Sequence, residues 1–193
     1  RKIPADSELV VNAQRMRQNV ATMDQVLNSS ITAQRMRPDS FEIARAPQNL
    51  AALVMRAADR IAAGEDDTAR IEVQVDEDAP RISIDAARII QVLNNLIENG
   101  LKYSPDVRHV EVLHYRESTR QVVEVRDQGI GLPNDSDQGL YEIFSRGNNT
   151  RSIPGTGIGL HVVRSIVEQH GGNIRLTPNV PNGTVAKVRL PSA

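Results

Sequence analysis

The sequence predicts an α+β domain, with helices laid over one mixed sheet, preceded by a long N-terminal helix. Three observations carry this. Residues 7 to 36 contain no proline or glycine, and Leu9, Ala13, Met16, Val20, Met23 and Leu27 recur in steps of four and three, a heptad seam. Beyond Pro38, short stretches that alternate apolar and polar residues are interleaved with stretches of helical period. The chain closes on two alternating stretches, "NIRLTP" and "GTVAKVRLP", separated by turn residues, which read as a hairpin. The summed pattern is a layered one.

The first helix, over residues 7 to 36, has one apolar face and polar residues elsewhere. It needs a partner helix, in this chain or in a second copy, to be stable. "RPDS", residues 37 to 40, ends it, because Pro38 disfavours helical geometry at Arg37. Residues 1–37 therefore form one part and 40–193 a second. In the second, "FEIAR" reads as a short strand, and "PQNLAALVMRAADRIAA" as a helix with Leu50, Leu53, Val54, Ala57 and Ile61 on one face. "RIEVQVD" from Arg70 and "RISID" from Arg81 read as half-buried strands. A strong helix follows from an N-cap at Asp85 to Tyr103. "HVEVLHYRE" and "RQVVEVRDQG" form an antiparallel pair around "STR". Residues 128 to 156, rich in Gly, Asn, Asp, Ser and Pro, read as a long mobile loop of the kind that carries function, and a helix from Gly157 to Gln169 leads into the hairpin.

Composition narrows the functional classes. At 193 residues and 39% hydrophobic, the chain suffices for one core and a small appendage. A formal net charge of -1 gives no global attraction to nucleic acid or anionic lipid, so any basic site is local. The absence of cysteine excludes disulfides and thiolate metal sites. No apolar run approaches the roughly 20 residues of a membrane span, and no signal peptide opens the chain, so a cytoplasmic, soluble protein is expected. The opening "RKIPADSEL", without an initiator Met, suggests a piece of something longer, whose upstream part is compatible with a membrane anchor.

Two groups of residues point to chemistry. On the helix over residues 85 to 103, Ile89, Leu93, Leu96, Ile97 and Gly100 follow the core-facing spacing, and Asn95, Asn99, Lys102 and Tyr103 share another stripe at about 100° per residue. Asparagine is a mediocre helix former, so a pair at i and i+4 asks for a reason. A neutral carboxamide oxygen can bind Mg²⁺ without adding charge where phosphates already bring it, and a lysine can meet a phosphate as a point charge. The same stripe is also what the solvated side of an amphipathic helix looks like. The second group begins with Asp127 at the end of a strand, followed by Gly129 and Gly131; a carboxylate there can accept from an exocyclic amine, and the glycines let backbone approach a flat ring closely. D-x-G-x-G is also a common turn. Downstream, Arg146 and Arg151 stand in the long loop, and "GTGIGL" sets glycine N–H groups at a helix start, where an anion is favoured. A dinucleotide-binding turn is excluded by the G-x-G-x-G spacing and the long loop before it, and a P-loop by the missing G-K-[ST].

These residues resemble the ATP-binding catalytic domain of sensor histidine kinases, within the wider group of gyrase, Hsp90 and MutL ATPases. "NNLIENGLKYSP" resembles the N-box, "DQGIGLP" the first glycine box, "LYEIFSRG" the F-box, "GTGIGL" the second glycine box and "NGTVAKVRLP" the closing strand, all in family order over roughly residues 40 to 191. The resemblance implies a two-layer α/β sandwich binding ATP, with Mg²⁺ held through Asn99. Asn95, Lys102 and Arg146 would contact phosphates and carry catalysis, and Tyr103 would pack near the nucleotide. Asp127 would take the adenine amine beside Gly129, Ile130 and Gly131. Gly155, Thr156, Gly157, Ile158, Gly159 and Leu160 would shape the return of a lid, about 132–155, to its helix, with Thr184 as a further adenine-side candidate. Tyr141 stands at the first aromatic position of the F-box and Phe144 at the second, a mild departure.

Related ATPases carry a water-activating Glu where this chain has Asn95, a poor base. That favours transfer to a protein nucleophile over hydrolysis. "QRMRQNVATMDQVL" resembles the second helix of the family's dimerization hairpin, and no histidine of this chain stands in an acceptor context. The partners implied are a histidine-bearing dimerization helix outside this chain, a response regulator and a second protomer. An ATP hydrolase of the gyrase or Hsp90 type, an anti-sigma serine kinase and a non-catalytic nucleotide-binding module stand as alternatives.

Overall fold

The computed structural model describes residues 43–64, 70–104, 109–133, 141, 153 and 157–192. All lie in the unit Glu42–Ala193. The expected N-terminal helix, Arg146, Arg151, Gly155, Thr156 and most of the lid lie outside the described residues.

The described residues form seven strands and three helices: β1 (Ala46–Gln48), α1 (Leu50–Ala62), β2 (Arg70–Val75), β3 (Ile82–Ile84), α2 (Ala86–Tyr103), β4 (His109–Glu117), β5 (Arg120–Asp127), α3 (Gly159–Gln169), β6 (Asn173–Pro178) and β7 (Thr184–Pro191). Five strands form a mixed sheet in the order β2-β4-β5-β7-β6, parallel between β2 and β4 and antiparallel elsewhere. The α+β class, with helices packed on a mixed sheet, is as expected.

Two details differ from the sequence reading. Among the described residues there are two sheets, not one, because there β1 and β3 pair only with each other. The first strand is also displaced from "FEIAR" to Ala46–Gln48. In the described part of that stretch the backbone donors are engaged elsewhere: Ala44 N–H goes to Asp85 Oδ2 at 3.2 Å and Arg45 N–H to Ile43 O at 3.0 Å. No ladder can form without them.

The core lies between the helices and one face of the large sheet. α1 buries Leu50, Leu53, Val54, Ala57 and Ile61, and α2 buries Ile89, Val92, Leu93, Leu96, Ile97 and Leu101. Val110, Val112, Val123, Val125, Ala186, Val188 and Leu190 meet them from the central strands. Gly100 lets α2 settle on β4, since a β-carbon there would come 2.8 Å from Val110 Cγ2.

His170 ties two helices together. It is 2% exposed, its Nδ1–H donates to Ile166 O at 2.7 Å, and its Nε2 accepts Asp85 N–H at 3.0 Å. The C-terminal end of α3 is thereby joined to the N-cap of α2. Arg45 adds a bond from Nη2 to Gln169 O at 2.6 Å. Burial pushes the imidazole below its ordinary pKa, and the Arg45 charge acts in the same direction, against the Ile166 carbonyl and Asp85.

The outer face of the sheet holds a charged network. Glu124 takes the Tyr115 hydroxyl at 2.5 Å, Lys187 Nζ at 2.9 Å and Arg126 Nη2 at 2.6 Å. Burial raises its pKa, but these donors outweigh burial and hold it at about 2.

Candidate functional site

The polar stripe of α2 forms the first wall. Its helix starts where Asp85 Oδ1 accepts from Ala87 and Arg88 N–H, so the phase of every later residue is set from that cap. Asn95, Asn99, Lys102 and Tyr103 are all half-buried, along the edge of the helix between core and solvent. Asn99 Nδ2 donates to Asn95 Oδ1 at 3.0 Å. That bond turns the Asn99 amide so that its oxygen is the atom left for an outside partner. Lys102 Nζ lies 5.2 Å from the centre of the Tyr103 ring, within cation–π range. Glu98 is exposed, away from the stripe.

α3 closes on this wall. A β-carbon at Gly159 would lie 2.6 Å from Asn95 Nδ2 and 2.9 Å from Asn95 Oδ1, so only glycine lets the helix start sit here undisturbed. The helix begins at Gly159 rather than at the expected Gly157, because Gly157 has φ +70°, outside right-handed helical space. α1 and α2 have side-chain caps from Asn49 and Asp85, whereas Ile158, the N-cap of α3, supplies none and there is no acid in the first turn. A helix start without a side-chain cap favours an anion. Ile158 itself is 1% exposed, so its side chain belongs to the core and any ligand contact is through its backbone. Leu160 is half-buried.

Asp127, 8% exposed, ends β5 at the far side. Its Oδ1 accepts Gly129 N–H at 2.9 Å and Thr184 N–H at 3.0 Å. Thr184 thus serves the acid through its backbone. Burial raises the Asp127 pKa, and the Gly129 and Thr184 amides and the Ser104 hydroxyl oppose that rise. Gly129 makes its close approach to protein: a β-carbon there would sit 2.1 Å from Tyr103 O, the carbonyl that accepts Ile130 N–H at 3.0 Å. The glycine locks the acid's turn onto the last turn of α2, while Ile130 remains 43% exposed and Gly131 lies against the Gly183 backbone.

Asn179 was not picked out from the sequence, yet its Nδ2 donates to Asp127 O at 2.7 Å across the closing hairpin. Ser104, beneath the Gly129 turn, was also passed over. Among the described residues no group of three or more His, Cys, Asp or Glu side chains is placed to hold a metal.

A family model described as "Histidine kinase-, DNA gyrase B-, and HSP90-like ATPase" matches residues 84–193, which span both walls of this site. The chain belongs to that family. It carries the ATP-binding catalytic domain of the sensor histidine kinase type. Among similar proteins, the sensor protein KdpD of Escherichia coli (strain K12) is 28% identical over 179 residues, 93% of this chain and 20% of that protein. The histidine-protein kinase/phosphatase MprB of Mycolicibacterium smegmatis is 32% identical over 148 residues, 76% of this chain and 30% of its own. The chain thus spans less than a third of these curated relatives. A solved mycobacterial MprB structure superposes with a TM-score of 0.66 at 26% identity, covering 77% of this chain and 97% of that one. The histidine kinase ThkA, solved in complex with the response regulator TrrA, shares the fold at TM-score 0.73 and 19% identity, over 99% of this chain and 53% of that one. Among the described residues no helix is long and apolar enough to cross a membrane.

Proposed function

We propose that this catalytic domain binds Mg·ATP and passes the γ-phosphoryl group to a histidine on a dimerization helix outside this chain, from which an aspartate of a response regulator takes it. The observation that carries the reading is the contact of Gly159 with Asn95, which sets the uncapped start of α3 beside the Asn95–Asn99 pair. An anion-binding helix end and two neutral carboxamides, with Lys102 on the same stripe, suit a polyphosphate. Asp127, with Oδ1 anchored by two amides, keeps its other oxygen for the adenine amine.

Asn99 Oδ1 would hold Mg²⁺, which when bound neutralises phosphate charge. The protein's own part is positioning and electrostatic complementarity. Asn95, bonded to Asn99 and pressed by Gly159, is a geometric element and a poor base. This favours transfer over hydrolysis. Arg146, from the lid, is proposed as a further phosphate contact, and Gly155, Thr156 and Gly157 as the lid's return. A homodimer formed through the N-terminal helix, and a regulator partner like the one seen with ThkA, complete the reading.

The test mixes this chain, γ-labelled ATP and Mg²⁺ with a separate polypeptide carrying the family's histidine helix. Label on that histidine is the expected result. Tight ATP binding without transfer, or steady phosphate release without acceptor, overturns the proposal.

A further inference from the structure

We propose that Ser104 is a positioning residue for Asp127: its buried hydroxyl donates to the carboxylate and keeps it charged and aimed into the site. Ser104 is the C-cap of α2, with its N–H bonded to Leu101 O at 3.4 Å, and it is 1% exposed. Among the described residues its Oγ has no hydrogen-bond partner, a costly condition for a buried hydroxyl and one that asks for an explanation.

The surroundings supply one. A β-carbon at Gly129 would lie 2.7 Å from Ser104 Oγ, and the N–H of the same glycine donates to Asp127 Oδ1 at 2.9 Å. The hydroxyl and the carboxylate therefore flank one glycine. A hydroxyl hydrogen turns freely about its C–O bond, so Ser104 can aim its donor at the acid across that glycine. It is already close enough to Asp127 to oppose the effect of burial. Among the described residues the groups acting on this carboxyl are the Ser104 hydroxyl and the Gly129 and Thr184 amides, with no charged side chain beside it. The two amides occupy Oδ1. Ser104 is left as the side chain that can favour the ionised form.

The consequence for ligand binding rests on the nucleotide reading above; the effect on Asp127 does not. The experiment compares the full chain with Ser104→Ala and with Ser104→Cys, which keeps the volume but offers only a weak donor. The titration of the Asp127 carboxyl carbon is followed by NMR without nucleotide, and ATP affinity is measured across the same pH range. Both variants are expected to move the Asp127 midpoint upward, to weaken ATP binding at neutral pH by roughly three- to tenfold, and to shift the acidic limb of binding the same way. An unmoved Asp127 midpoint in either variant overturns the proposal. A chain that shows the shift but binds no ATP leaves Ser104 assigned and removes the nucleotide reading instead.

Discussion

Gly159 and Asn95 are in contact so close that the glycine hydrogen occupies space no methyl group can share: a β-carbon at 159 would stand 2.6 Å from Asn95 Nδ2. The obstructing atom is the end of a side chain, so Gly159→Ala should displace the Asn95 amide and break its bond to Asn99 without unfolding the domain. We expect a stability change within about 1 kcal/mol, because alanine is itself the better helix former, and ATP affinity reduced roughly tenfold. Paired urea denaturation and nucleotide titration check this; tight binding in the alanine variant would count against the contact as a site element.

Asp127→Asn should separate anchoring from recognition. The amide oxygen can still accept the Gly129 and Thr184 N–H groups, but an NH₂ then replaces the oxygen proposed to accept from the adenine amine. ATP affinity should fall by roughly 10- to 100-fold, with a melting temperature close to that of the parent. Calorimetric titration of both proteins measures it.

How far these residues were readable in advance differs between the two walls. The α2 stripe follows from local period alone, because the Asp85 cap and the apolar positions fix its phase, and the half-burial of Asn95, Asn99, Lys102 and Tyr103 agrees with it. The alternating strands were legible for the same reason. Asp127 was found by its place at a strand end, but its partners Asn179 and Thr184 reach it from distant segments, and no local pattern encodes such contacts. Gly129 was read as making room for a ring, whereas its close neighbour is the Tyr103 carbonyl. The first strand was misplaced because donors at Ala44 and Arg45 are claimed by a carboxylate and a local turn, which apolar alternation does not reveal.

His170 should make stability fall in mildly acidic solution. Its folded pKa lies below 6.5, so the unfolded chain binds more protons in the window beneath 6.5. Stability is then full above 6.5 and declines as pH drops below it, levelling off once the folded pKa is passed. Buried His114, also held below 6.5 chiefly by burial, adds to the same slope. In His170→Gln the slope should shrink though not vanish. Urea denaturation free energies on either side of that window give the answer.

Glu124 should support the outer face of the sheet. With a folded pKa of about 2 against 4.5, it contributes stability that is present above 4.5 and lost as pH falls toward 2. Glu124→Gln leaves Arg126 without its charged partner and Lys187 with Glu117 alone, and should cost roughly 1–3 kcal/mol at neutral pH. ATP affinity should be unchanged, since the network faces away from the helices. Chemical denaturation with a parallel binding measurement would separate the two.

The knot at His170 also sets a pivot. It joins the end of α3 to the beginning of α2, while at the opposite end of α3 Gly159 rests on the Asn95 carboxamide of α2. The two helices are therefore arranged like the arms of a pair of tweezers, hydrogen-bonded at one end and touching through a side-chain amide at the other. A ligand entering at the touching end meets the softer contact, and whatever spreading it causes leaves the pivot, and with it the core, in place.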